Sequence, residues 1–73
     1  MTYERVKGFH ERRPFQPFDI RTSDGRVYTV DHPEFLMQSR SRRIITFTTE
    51  DDREIVIKVQ YMTSLEVANT PAA

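Results

Sequence analysis

Arg40, Arg42 and Arg43 put three guanidinium groups within four residues. A guanidinium forks onto phosphate or carboxylate through two parallel N–H donors, so a cluster of this density suits an anionic partner. Arg12 and Arg13 could add to it if the fold brings the N-terminal segment close. Two histidines, His10 and His32, stand beside Glu11, Asp31 and Glu34. No His-x-x-x-His or His-x-Glu unit with a third ligand at a suitable spacing occurs, so metal chemistry is not expected. His32, next to Pro33, is expected to bond a turn carbonyl and fix a break in the chain. Ser23, Ser39, Ser41 and Ser64 have no histidine near them in sequence, as an activated nucleophile would need. Glu50, Asp51 and Asp52 fall in a polar turn, where carboxylates stay solvated. Gly8 and Gly25 are the two glycines, too few for a phosphate-cradling loop. Catalytic, cofactor and metal sites are therefore all read as none.

The segments that must position these groups are mostly extended. In Arg43–Val59, Ile45 and Phe47 alternate with Thr46 and Thr48, and Ile55, Ile57 and Val59 alternate with Glu54, Val56 and Lys58. A period of two in β-branched and aromatic residues, broken by Glu50–Arg53, predicts an antiparallel hairpin with one buried face. Ile44 and Val56 fall on its outer face, where charge would suit solvent, and are the candidate protein interface. Upstream, Phe18–Thr22 and Val27–Val30 flank Asp24-Gly25, which predicts a second hairpin closed by a primed turn. Pairing Tyr28 and Val30 with Ile20 and Phe18 places all four inside. Thr2–Arg12 reads as a short helix capped by Thr2, with Tyr3, Val6 and Phe9 near one face. Pro14 and Pro17 keep residues 13–17 extended, and Phe15 and Phe18 anchor the strand entry.

Pro33 ends the second strand, and Phe35–Ser39 reads as a short strand of uncertain inner face. Gln60–Thr63 reads as one helical or 3₁₀ turn, and Ser64–Val67 as a last strand with Leu65 and Val67 inward. Residues 1–67 form one domain, with 1–13 a helical arm and 68–73 a flexible tail. Five to six short strands with tight turns and a crossing turn before the last predict a mainly β fold. It is a small SH3-like or Sm-like antiparallel barrel with a short N-terminal helix.

The 73 residues carry 11 basic and 11 acidic side chains, for a net charge of zero. Such a balance disfavours a general nucleic-acid binder. The charge is uneven: residues 1–43 hold nine Lys/Arg against six Asp/Glu, and 44–73 hold two against five. There is no cysteine, which excludes a disulfide framework and suits a cytoplasmic setting. No apolar run approaches a membrane span, and the first residues lack a secretory apolar core. A chain this short buries about 60% of its unfolded surface, and self-association is a common source of extra stability.

Pro14-Phe15-Gln16-Pro17-Phe18, then Asp24-Gly25, His32-Pro33-Glu34 and Thr63-Ser64-Leu65-Glu66, resemble the pattern of a set of short uncharacterised bacterial proteins. The resemblance covers residues 14–67 and implies a bacterial or phage source and a stand-alone domain, with no activity attached. The helix, strand order and Asp24-Gly25 hairpin also resemble Sm-like proteins. Thr29 or Val30 stands where those carry a second-strand glycine, and no Asp-x-x-x-Asn loop is present, so only the architecture carries over. The function expected is a non-enzymatic protein-interaction or oligomerisation module, most simply a homo-oligomer. The alternative is an RNA- or DNA-contacting barrel using Arg40, Arg42 and Arg43.

Overall fold

The computed structural model describes residues 2–68. Thr2 opens helix α1 (Tyr3–His10) by accepting a hydrogen bond from the Arg5 amide on its hydroxyl. The helix ends two residues before the predicted boundary. The Arg13 guanidinium donates to the carbonyls of His10 and Arg12, taking up acceptors left free at the helix end. Only Val6 of α1 is fully buried, while Phe9 packs its ring 5.3 Å from Phe18.

Six strands follow: β1 (Phe18–Thr22), β2 (Val27–Val30), β3 (Leu36–Gln38), β4 (Ile44–Thr48), β5 (Glu54–Lys58) and β6 (Met62–Val67). Single 3₁₀ turns at Pro33–Phe35 and Val59–Tyr61 precede β3 and β6. They assemble as two antiparallel three-stranded sheets, ordered β2-β1-β6 and β3-β4-β5. The fold is thus mainly β with one short helix, as expected. The ladders do not close into a barrel: the chain changes sheet at the two 3₁₀ turns, and β2 and β3, on either side of Pro33, are each an edge of their own sheet.

Alternation sets which side chains fill the space between the sheets. Phe18, Ile20 and Val30 from one sheet meet Leu36, Ile45, Phe47 and Ile57 from the other, with Val6, Val59 and Met62 completing the core. The predicted register holds, with Phe18 opposite Val30 and Ile20 opposite Tyr28. Tyr28 is half-buried, its ring 5.8 Å from Phe47 across the sheets. The last strand departs from expectation. It starts at Met62, which is buried, and its register against β1 shifts between Arg21 and Thr22. That bulge lets Met62 and Leu65, three residues apart, both meet the core, while Val67, at the end of the strand, is 51% exposed rather than inward. The Ala68 amide bonds the Pro17 carbonyl, and the rest of the expected tail, 69–73, lies outside the described residues.

The two hairpin turns, Thr22-Ser23-Asp24-Gly25-Arg26 and Thr49-Glu50-Asp51-Asp52-Arg53, share one construction. In each, the threonine amide donates to the arginine carbonyl and the threonine hydroxyl donates to the aspartate carboxylate, which also pairs with the arginine. These are three-residue loops, not the primed two-residue turn expected at Asp24-Gly25, and only the last loop residue takes a positive φ. Gly25 occupies that position at φ 86°, but Asp52 takes it at φ 67°, where a Cβ is strained. Asp52→Gly should therefore stabilise the fold by about 1 kcal/mol, raising Tm by roughly 4–8 °C. Thermal unfolding followed by circular dichroism checks this; an unchanged or lower Tm contradicts it.

Candidate functional site

The Thr22 hydroxyl, then the Arg26 backbone and guanidinium, hold the Asp24 carboxyl below the usual aspartate range. The Thr49 hydroxyl and then Arg53 do the same for Asp51. These acids remain solvent-exposed, as expected of Glu50–Asp52, but the turn contacts move Asp51 away from the ordinary carboxylate behaviour expected of a solvated turn.

His10, not His32, makes the carbonyl contact that tethers the chain. A carbonyl can only accept, so His10 Nε2–H donates to the Pro33 oxygen at 2.7 Å, and Nδ1 accepts from the Gln38 amide at 3.0 Å. Helix α1 is thereby pinned to the break between β2 and β3. His32 is exposed and rests its ring edge-on against Phe35 at 5.3 Å. The carbonyl contact expected of His32 is thus made by His10, while the His32 ring packs on Phe35. Among the described residues, no three His, Asp or Glu side chains gather where a metal could sit. No helix among them is long and apolar enough to cross a membrane.

Two surfaces stand out. The first is the outer face of β3-β4-β5. Met37 pairs with Thr46, and Thr46 with Val56, so the three form one row across the sheet. Met37 is 71% exposed and Val56 is 60% exposed. Ile44, the other predicted interface residue, is half-buried beside Lys58 in the neighbouring row. The Val59 amide donates to Arg43 O and the Thr49 amide to Arg53 O. The alternation they set leaves the N–H and C=O groups of Glu54, Val56 and Lys58 pointing away from β4. β5 has no strand on that side, so these groups line an open edge. Beyond it lies a cleft of about 580 Å³ floored by Tyr28, Ile55 and Ile57 and rimmed by Asp24, Arg26, Lys58 and Tyr61.

The second surface is basic. Arg42 and Arg43 reach it from the β3–β4 loop, as the sequence suggested, but Arg12 and Arg13 do not join them. Arg12 lies over Phe9 at 4.9 Å and bonds Gln16, and Arg13 is used at the end of α1. Instead the fold delivers Tyr3, Lys58, Gln60 and Tyr61. The Arg42 guanidinium lies 5.5 Å from the Tyr3 ring centre, and Lys58 Nζ lies 5.8 Å from that of Tyr61. Two shallow depressions share Arg43 and Gln60; Tyr3 and Arg42 line one, Ile44 and Lys58 the other. Arg40 is exposed and lines neither. Tyr3 and Arg42 are too far apart in sequence for local spacing to reveal their contact. Met37 was legible in principle, since the residue after an inward Leu36 points out.

Comparison with family models, with curated proteins and with solved structures finds no match.

Proposed function

We infer that the protein is a small non-enzymatic interaction module that associates with copies of itself through the outer face and open edge of β3-β4-β5. The observation that carries this reading is the row Met37–Thr46–Val56 on a sheet whose last strand has unpaired backbone groups. Edge amides supply register-specific hydrogen bonds to an added strand, and apolar side chains on the adjoining face supply burial. The order of elements supports the same reading. A helix, a hairpin, a strand after a turn, a second hairpin, then a 3₁₀ turn and a closing strand is the order of SH3-like barrels, the Sm-like branch included. Folds of this size often gain stability by pairing with another copy.

Multi-angle light scattering across micromolar to sub-millimolar concentration tests it. The wild-type chain should give a mass that is a multiple of 8.7 kDa. Met37→Lys and Val56→Lys should each weaken assembly by about tenfold or more, because a burial face cannot desolvate an unpaired ammonium. Their circular dichroism should match wild type, since both positions face solvent. A monomer at every concentration, or an assembly indifferent to both changes, refutes the proposal.

A further inference from the structure

We propose that the surface formed by Tyr3, Arg42, Arg43, Lys58 and Tyr61 binds single-stranded nucleic acid. This goes beyond self-association and rests on side chains other than Met37 and Val56: those of Tyr3 on α1, Arg42 and Arg43 in the β3–β4 loop, Lys58 at the end of β5 and Tyr61 in the turn after it.

The first support is an imbalance in pairing. On this electroneutral chain, strand and hairpin arginines stand beside carboxylates: Arg21 with Glu66, Arg26 with Asp24, Arg53 with Asp51. Among the described residues, Arg42, Arg43 and Lys58 have no such partner, and no carboxylate lines either depression between them. Their charge is therefore available to an external anion, and two guanidinium forks and an ammonium are the donor types that take successive phosphates.

The second support is the aromatic content. Tyr61 is half-exposed beside the Lys58 ammonium, and Tyr3 carries the Arg42 guanidinium over its ring. A base can stack on an open tyrosine face or on a guanidinium plane held flat by a ring beneath it. Phosphate donors interleaved with flat platforms suit a flexible strand with splayed bases. A duplex hides its base faces, so the stacking contribution is available to a single strand and not to a duplex.

The test is fluorescence anisotropy with labelled oligouridylate and oligothymidylate single strands. Duplex DNA, polyglutamate and anionic phosphatidylserine vesicles serve as comparators. Contacts from Arg42, Arg43 and Lys58 predict a slope of log K against log salt of about −2, and Arg42→Gln/Arg43→Gln should bring it to about −0.7. Tyr61→Ala should weaken single-strand binding by about fivefold or more and leave the slope unchanged, as loss of a stacking contact does. Lys58→Gln, at an exposed position, provides an independent reduction of the slope by about 0.7. Absence of binding at low salt overturns the proposal. So does equal or tighter binding of polyglutamate or vesicles with no effect of Tyr61→Ala, which would assign the surface to an acidic protein or a membrane. Light scattering on Arg42→Gln/Arg43→Gln separates this result from the assembly reading, since these side chains lie off the Met37–Val56 row.

Discussion

Phe18→Ala should remove about 3–5 kcal/mol of stability, the usual cost of deleting a buried phenyl ring. A chain of this length has roughly 4–11 kcal/mol in total, so the variant should lose from about a quarter to all of its stability. The reason lies in where the ring sits. Phe18 is fully buried, opposite Val30 on one side and Val67 on the other, in the central strand of its sheet. Phe9 from α1 packs at 5.3 Å and Phe15 from the extended segment at 6.0 Å, both tilted. One side chain thus joins the helix, the proline-bounded entry and the sheet, and the cavity left by alanine cannot be filled from any one of them. Urea denaturation measures the loss, and Phe18→Leu, which refills most of the volume, should lose markedly less. A loss below about 1 kcal/mol for the alanine variant would show that Phe18 does not sit at the centre of the packing.

Val6→Asp should be at least as damaging, at about 4 kcal/mol or more, the range reached when an unpaired charge is buried. Val6 is 1% exposed, and it is the residue through which α1 enters the core. The helix is eight residues long, too short to hold its shape without that contact. Two outcomes are separable by hydrogen exchange. If α1 and the sheets form one cooperative unit, amides of β1 and β4 should lose protection together with those of the helix. If only helix amides open while β1 and β4 stay protected, α1 is an appendage and the prediction fails. Arg5→Asp, one residue away on the exposed side, should change stability by no more than about 0.5 kcal/mol.

Both effects bear on the proposed surfaces. Tyr3 reaches Arg42 only while Val6 and Phe9 seat the helix, and the His10 contacts to Pro33 and Gln38 hold its other end. Loosening α1 should therefore part Tyr3 from Arg42 and, because helix and sheets open as one unit, weaken the Met37–Val56 row on β3-β4-β5 as well.

The local chemistry of the chain determined its strands. Period-two alternation in 44–48 and 54–58 matches the observed inner and outer faces residue by residue, because a strand's side chains can point only two ways. The register of β1 on β2 followed from the same rule, and the capped helix from Thr2. Function class and partners were not legible in that pattern. Tertiary structure decided the rest. It kept the expected barrel as two separate sheets, left Val67 exposed at the end of β6, and gave His10 the contact expected of His32. It also set Tyr3 and Tyr61 beside Arg42 and Lys58, and exposed Met37 in one row with Thr46 and Val56. Alternation is a property of neighbours along the chain. Which edges stay open and which distant side chains meet depend on how two sheets and a helix share one small core, and that is settled only when all of them are packed together.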